Sequence, residues 1–226
     1  MKEDIKKLLD RAKSGRASED DSVRLLEYFL SGLDLRYLGE LLSSDQPFVV
    51  KNAAWILSEL GRVAKPLLPV CGALLTHSDK SVRFDALDSV LANASDRDGS
   101  LVAQCIMLIV DPETSVQWKC LNFLRRIELS ALTAASKAMD EGLTREHMDW
   151  LLAHLQMSDE RDIITRASNS DFRTRAFAAV AAARLGLRFA PILKHLADPN
   201  GDAVARFARD ELEELTYKTS RHDTRQ

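Results

Sequence analysis

The stretch Asp79-Lys80-Ser81-Val82-Arg83-Phe84-Asp85-Ala86-Leu87 decides the fold of this 226-residue chain. Val82, Ala86, Leu87 and the later Val90 fall at helical spacing, so they share one buried face. Asp79 stands where a helix N-cap is wanted. The small residue four positions after Val82 lets a neighbouring helix come close. The same order recurs as Val50-Lys51 with Ala54, Val116-Gln117 with Cys120, Phe172-Arg173 with Ala176, and Val204-Ala205 with Ala208. Successive matches lie 32, 34, 56 and 32 residues apart. Three of these intervals fit one helix pair. The longest fits a pair plus about one further helix, near residues 128–168. A single helix pair cannot bury its own apolar face, so such pairs must stack.

The rest of the chain agrees with helices throughout. Leu (34) and Ala (27) make more than a quarter of it, against only nine Gly and six Pro. Strong helix formers with so few turn residues argue against a sandwich or barrel. A chain 46% hydrophobic and 29% charged has the composition of a packed protein. Apolar periodicity predicts fourteen helical segments, some able to fuse: 2–14, 20–31, 33–44, 47–60, 64–76, 80–94, 99–110, 114–126, 128–140, 144–156, 158–168, 171–185, 188–197 and 201–217. Gly15, Gly32, Gly61, Gly142, Gly186 and Gly201 mark the stops, and Asp45, Asp79, Asp111, Asp171 and Asp198 the starts.

Residues Ala64-Lys65-Pro66-Leu67-Leu68 through Leu74-Leu75, then Asp79, Val82-Arg83 and Ala86-Leu87, resemble a HEAT repeat. In that family a proline bends the first helix, and an Asp followed by Val-Arg opens the second. Ala190-Pro191-Ile192-Leu193, Leu196, Asp198, Val204 and Ala208 resemble the same unit, with Ala205 in the arginine's place. Residues 45–61 and 111–126 resemble second helices alone, while 1–32 and 128–168 depart from the pattern. The resemblance implies an all-α, right-handed α-solenoid of antiparallel helix pairs with a curved binding surface. It is expected to form one domain over 1–226, with an irregular segment at about 128–168.

No catalytic set emerges. The chain lacks a phosphate loop and a Gly-x-Ser-x-Gly elbow. Cys71, Cys105 and Cys120 sit in apolar helical stretches, as buried thiols in a reducing compartment would. His147 and His154 are seven apart and flank Trp150, a spacing too wide for one metal ion without a third element. They read as surface histidines. No metal and no cofactor are expected. Carboxylate clusters, Glu211 with Glu213-Glu214 among them, read as solvated helix faces. The mixed-sign start Met1-Lys2-Glu3-Asp4 is unlike a signal peptide, and the longest apolar run, Leu101 to Val110, is too short to span a bilayer. The expected location is the cytoplasm.

A binding surface is the more productive reading. Counting from each repeat's first apolar residue, positions +2, +6 and +9 form a ridge expected to be exposed. They read Asn52, Ile56, Glu59; Phe84, Asp88, Leu91; Trp118, Asn122, Arg125; Thr174, Ala178, Ala181; and Arg206, Asp210, Glu213. Aromatic residues beside polar ones suit protein hot spots. The candidate partner-binding residues are Asn52, Phe84, Asp85, Asp88, Trp118, Asn122 and Arg125, with another protein as partner. Stand-alone bacterial chains of HEAT-like type are often immunity or inhibitor proteins. The resemblance therefore also suggests a toxin as partner. Residues 1–160 hold 19 Lys+Arg against 25 Asp+Glu, which suits a basic one such as a nuclease. Two alternatives arise from the same resemblance. One is a nucleic-acid binder related to DNA alkylation repair glycosylases, using Arg173, Arg175, Arg184, Arg188, Lys194, Arg206 and Arg209. Interspersed acids argue against it. The other is a HEAT-like lyase or scaffold.

Overall fold

The structure, a computed structural model, describes residues 3–199 and 201–223, the last six of these by backbone alone. Every regular element among them is helical. Among the described residues fourteen α-helices divide into two compact units, one up to Ser95 and one from Asp96.

The first unit holds α1 (Glu3–Lys13), α2 (Glu19–Leu30), α3 (Arg36–Leu42), α4 (Pro47–Glu59), α5 (Cys71–Leu74) and α6 (Lys80–Asn93). Helix α3 packs on α4, and α4 packs on α6. The stripe read from sequence is the core: Val50, Ala54, Val82, Ala86, Leu87 and Val90 are all buried. Each larger side chain among them contributes about 1.5–3 kcal/mol by leaving water. The helix expected over 64–76 differs. A 3-10 stretch, Gly61–Val70, precedes a one-turn α5, because Pro66 and Pro69 remove two backbone donors and clash with the preceding turn. Gly61 opens that stretch with φ of 52°, a left-handed conformation that ends α4 without a Cβ penalty.

The second unit holds α7 (Gly99–Met107), α8 (Thr114–Arg126), α9 (Leu129–Ala138), α10 (Leu143–Gln156), α11 (Glu160–Ala167), α12 (Phe172–Leu185), α13 (Ala190–Leu196) and α14 (Ala203–Asp223). Three helices therefore fill the segment 128–168. Helix α9 lies against α7, where a Cβ on Gly99 would stand 2.7 Å from the Ala134 carbonyl oxygen. Helices α10 and α11 pack on α12. Helices α8, α12 and α14 all pack on one another. Helix α12 is consequently enclosed, with every residue from Ala176 to Ala183 buried. Six of those eight are alanine, which lets neighbours close in from every side.

Two helix starts use the same device. Asp79 accepts from the Ser81 amide at 2.7 Å, and Arg83 donates to the carbonyls of His77 and Ser78 at 2.8 and 3.0 Å. Asp171 accepts from the Thr174 amide at 2.8 Å, and Arg175 donates to the carbonyls of Asn169 and Ser170 at 3.2 and 2.7 Å. Arg175 thus does the work of Arg83, so Thr174, not Phe172, stands where Val82 does. The apolar match at Phe172 was two residues early. Elsewhere Gln46, not Asp45, precedes α4, and Asp202, not Asp198, caps the amides of Val204 and Ala205.

Candidate protein-binding surface

The seven expected contact residues fall into two groups. In the first unit Asn52 lies on α4, and Phe84, Asp85 and Asp88 lie on α6. Phe84 is two residues beyond Val82 as Asn52 is two beyond Val50, so both occupy the same register on packed helices. All four are half-buried. In the second unit Trp118, Asn122 and Arg125 share one face of α8 and are also half-buried.

The ridge is not exposed along its whole length. Ile56 is buried in α4, and Ala178 and Ala181 are buried in α12. The physical reason for α12 is its enclosure: from Ala176 to Ala183 every residue is covered by neighbouring helices.

Helix α14 occupies the α8 group. The Trp118 indole Nε1 donates to Asp210 Oδ2 at 2.7 Å, and the Arg206 guanidinium lies 4.3 Å from the centre of the Trp118 rings. Arg125 Nε donates to Glu211 Oε2 at 3.0 Å, and its Nη2 lies 3.8 Å from Glu214 Oε1. Asn122 Nδ2 donates to the Trp118 carbonyl at 3.0 Å. Glu211 is only 2% exposed, a correction to its reading as a solvated acid. Burial pushes its carboxyl above the usual range, and the Arg125 charge opposes that shift. Sequence carried a signal for this pair. Glu211 continues the Val204–Ala208 stripe by one turn, an acid in a core position that calls for a buried partner.

The C-terminal arginines are largely engaged inside the protein. Arg184 donates to the carbonyls of Leu124, at 2.7 Å, and Ile127, so its cation closes the C-terminal end of α8. Burial first, and Arg125 second, lower its pKa to about 10. Arg175 meets Asp202 at 2.6 Å, Arg188 meets Glu160 at 3.0 Å, and Arg209 donates to the Asp198 carbonyl. A duplex would have to compete with each of these contacts.

The histidines also differ from expectation. His147 is 6% exposed, not a surface residue. Helix α10 faces α12, and the ring stacks on Phe177 at 5.4 Å. Burial lowers its pKa, and the nearby Arg166 lowers it further. His154 stacks on Trp150 at 4.3 Å and meets Asp162 at 3.0 Å, while Trp150 Nε1 donates to Asp162 at 2.6 Å. Among the described residues no three His, Cys, Asp or Glu converge as a metal cluster would require. Cys71, Cys105 and Cys120 are buried, and burial pushes the Cys71 thiol up to about 12 and that of Cys120 upward as well. Neither of those two is a thiolate near neutrality. No described helix is long and apolar enough to cross a membrane.

No protein-family model matches the chain, and no curated protein matches it. Solved structures do. A crystallised engineered protein superposes with a TM-score of 0.53 at 18% identity, covering 96% of this chain and 98% of its own. The archaeal HEAT-like repeats protein from Thermococcus onnurineus NA1 superposes with a TM-score of 0.50 at 14% identity, covering 94% and 97%. The likeness, together with the stacked helix pairs, gives the architecture: the chain has the fold of a HEAT-like repeat protein, an all-α solenoid.

Proposed function

We propose that the chain is a non-enzymatic protein-binding module, in which the face of its second helices captures a partner protein. The observation that carries this reading is the register of α4 and α6. It sets Asn52 and Phe84 at equivalent places on packed helices, with Asp85 and Asp88 beside Phe84. An aromatic ring bordered by polar groups suits a hot spot. Trp118, Asn122 and Arg125 are a separate candidate contact group on the second unit. Helix α14 satisfies the polar atoms of Trp118 and Arg125 and holds them fixed, so they offer a pre-organised face. Asp85 and Asp88 favour a basic partner. A toxin such as a nuclease is the narrowest form of this reading, with the chain as its inhibitor in the cytoplasm.

Affinity capture from the native host tests the proposal when wild type is compared with Phe84→Ala and Asp88→Lys. One retained protein should disappear with both variants. An identical retained set in all three would remove the α6 face from the role.

A further inference from the structure

Helix α10 starts at Leu143 behind Gly142, whose φ of 153° suits glycine and which has no side chain to cap the first turn. Gly142, Leu143, Thr144 and Arg145 line a cavity of about 510 Å³ in the second unit. An uncapped helix N-terminus favours negative charge, but that alone defines no site.

Two side chains do. Thr144 is 7% exposed and lines the cavity, and its hydroxyl has no hydrogen-bond partner among the described residues. The hydroxyl oxygen is not fully enclosed, so an acceptor or donor held in the cavity can reach it. Arg173, in the first turn of α12, lines the same cavity and is half-buried. Among the described residues its guanidinium has neither a carboxylate nor a carbonyl partner, unlike Arg175 and Arg184 of the same helix. The nearby Asp171 is occupied by the amide and hydroxyl of Thr174, both at 2.8 Å. Arg145 is turned to Asp149 and to the Met139 carbonyl, each at 3.0 Å.

The walls and rim narrow the ligand. Met107 and Leu143 are 49% and 46% exposed and give the cavity an apolar side. Asp140 and Glu141 are exposed at its edge, and their charge disfavours a multiply charged anion. We propose that this cavity binds a small organic carboxylate. Its head would take the Arg173 guanidinium, the Thr144 hydroxyl and the first-turn amides of α10, and its apolar tail would lie against Met107 and Leu143.

Titration of the full chain with hexanoate, acetate and inorganic phosphate, followed by NMR, tests this. Hexanoate should bind saturably and more tightly than acetate. Thr144→Val and Arg173→Gln should each weaken hexanoate about tenfold or more. Thermal melts confirm that each variant folds, and Arg173→Lys stands in if the Gln variant does not. Absence of saturable hexanoate binding overturns the proposal, as does binding unchanged in both variants. Phosphate binding more tightly than hexanoate at the same residues would overturn the carboxylate assignment.

Discussion

The indole N–H of Trp118 on α8 donates to the carboxylate of Asp210 on α14 at 2.7 Å, across 92 residues of sequence. This bond anchors the last helix to a surface that sequence marked for a partner. Trp118→Phe keeps most of the ring and deletes the donor. It should cost about 2 kcal/mol, as hydrogen bonds to charged groups do. Urea denaturation reads this as a lower midpoint at constant slope. An unchanged midpoint would mean that this bond contributes nothing measurable to holding α14.

Arg125 and Glu211 should respond asymmetrically to mutation. Arg125→Met leaves a 2%-exposed carboxylate without its cation, and about 3 kcal/mol of stability should go with it. The double variant Arg125→Met/Glu211→Leu removes both charges and should recover most of that loss. A double-mutant cycle measures the coupling. Additive losses would show that the pair does not act as a unit.

Gly99 is required by a close approach. A Cβ there would stand 2.7 Å from the Ala134 carbonyl oxygen, and backbone on α9 yields little. Gly99→Ala should therefore destabilise the second unit by about 1–3 kcal/mol, in the range of core overpacking. The melt of this variant against wild type is the check, and a stabilised variant would place α9 farther from α7.

Stability should also fall on the acid side through His147. Arg166 Nη1 lies 3.3 Å from Nδ1 and can only donate, so Nδ1 accepts and the ring is neutral, with its proton on Nε2. Nε2 itself is buried without a partner. Charged groups near the ring are Arg166 of α11, Arg173 and Asp171 at the start of α12, and Glu146 of α10 itself. The folded pKa is lowered, so the unfolded chain binds the extra proton more readily. The contribution is complete above the ordinary histidine value of about 6.5 and is lost progressively as pH falls from there through the lower folded value. Urea midpoints between about pH 5 and 8 should drop on that limb for wild type and flatten for His147→Phe. Parallel curves would exclude His147 as the source.

Most helices were legible because the chain repeats its apolar spacing with few breakers. Residues 114–126 were read as one helix, and α8 is Thr114–Arg126. Apolar periodicity predicts a helix over 64–76 because it does not register the donors lost at Pro66 and Pro69. The α12 register slipped because Phe172 imitates Val82, whereas the capping pair Asp171 and Arg175 fixes the true start. The contact residues of α8 were found as a face, but its occupant was not. Pairing Trp118 with Asp210 and Arg125 with Glu211 depends on α8 meeting α14 across the long interval at 128–168, which no local spacing encodes. His147 was missed for a related reason: its burial is set by Phe177, thirty residues later.

Partner capture by the α4–α6 face is tested most directly by a photo-crosslinking amino acid in place of Phe84, expressed in the native host. Val63, 44% exposed in the 3-10 stretch, serves as the control position. Position 84 should yield one discrete crosslinked protein that position 63 does not. Equal products from both positions, or none from position 84, would contradict the account.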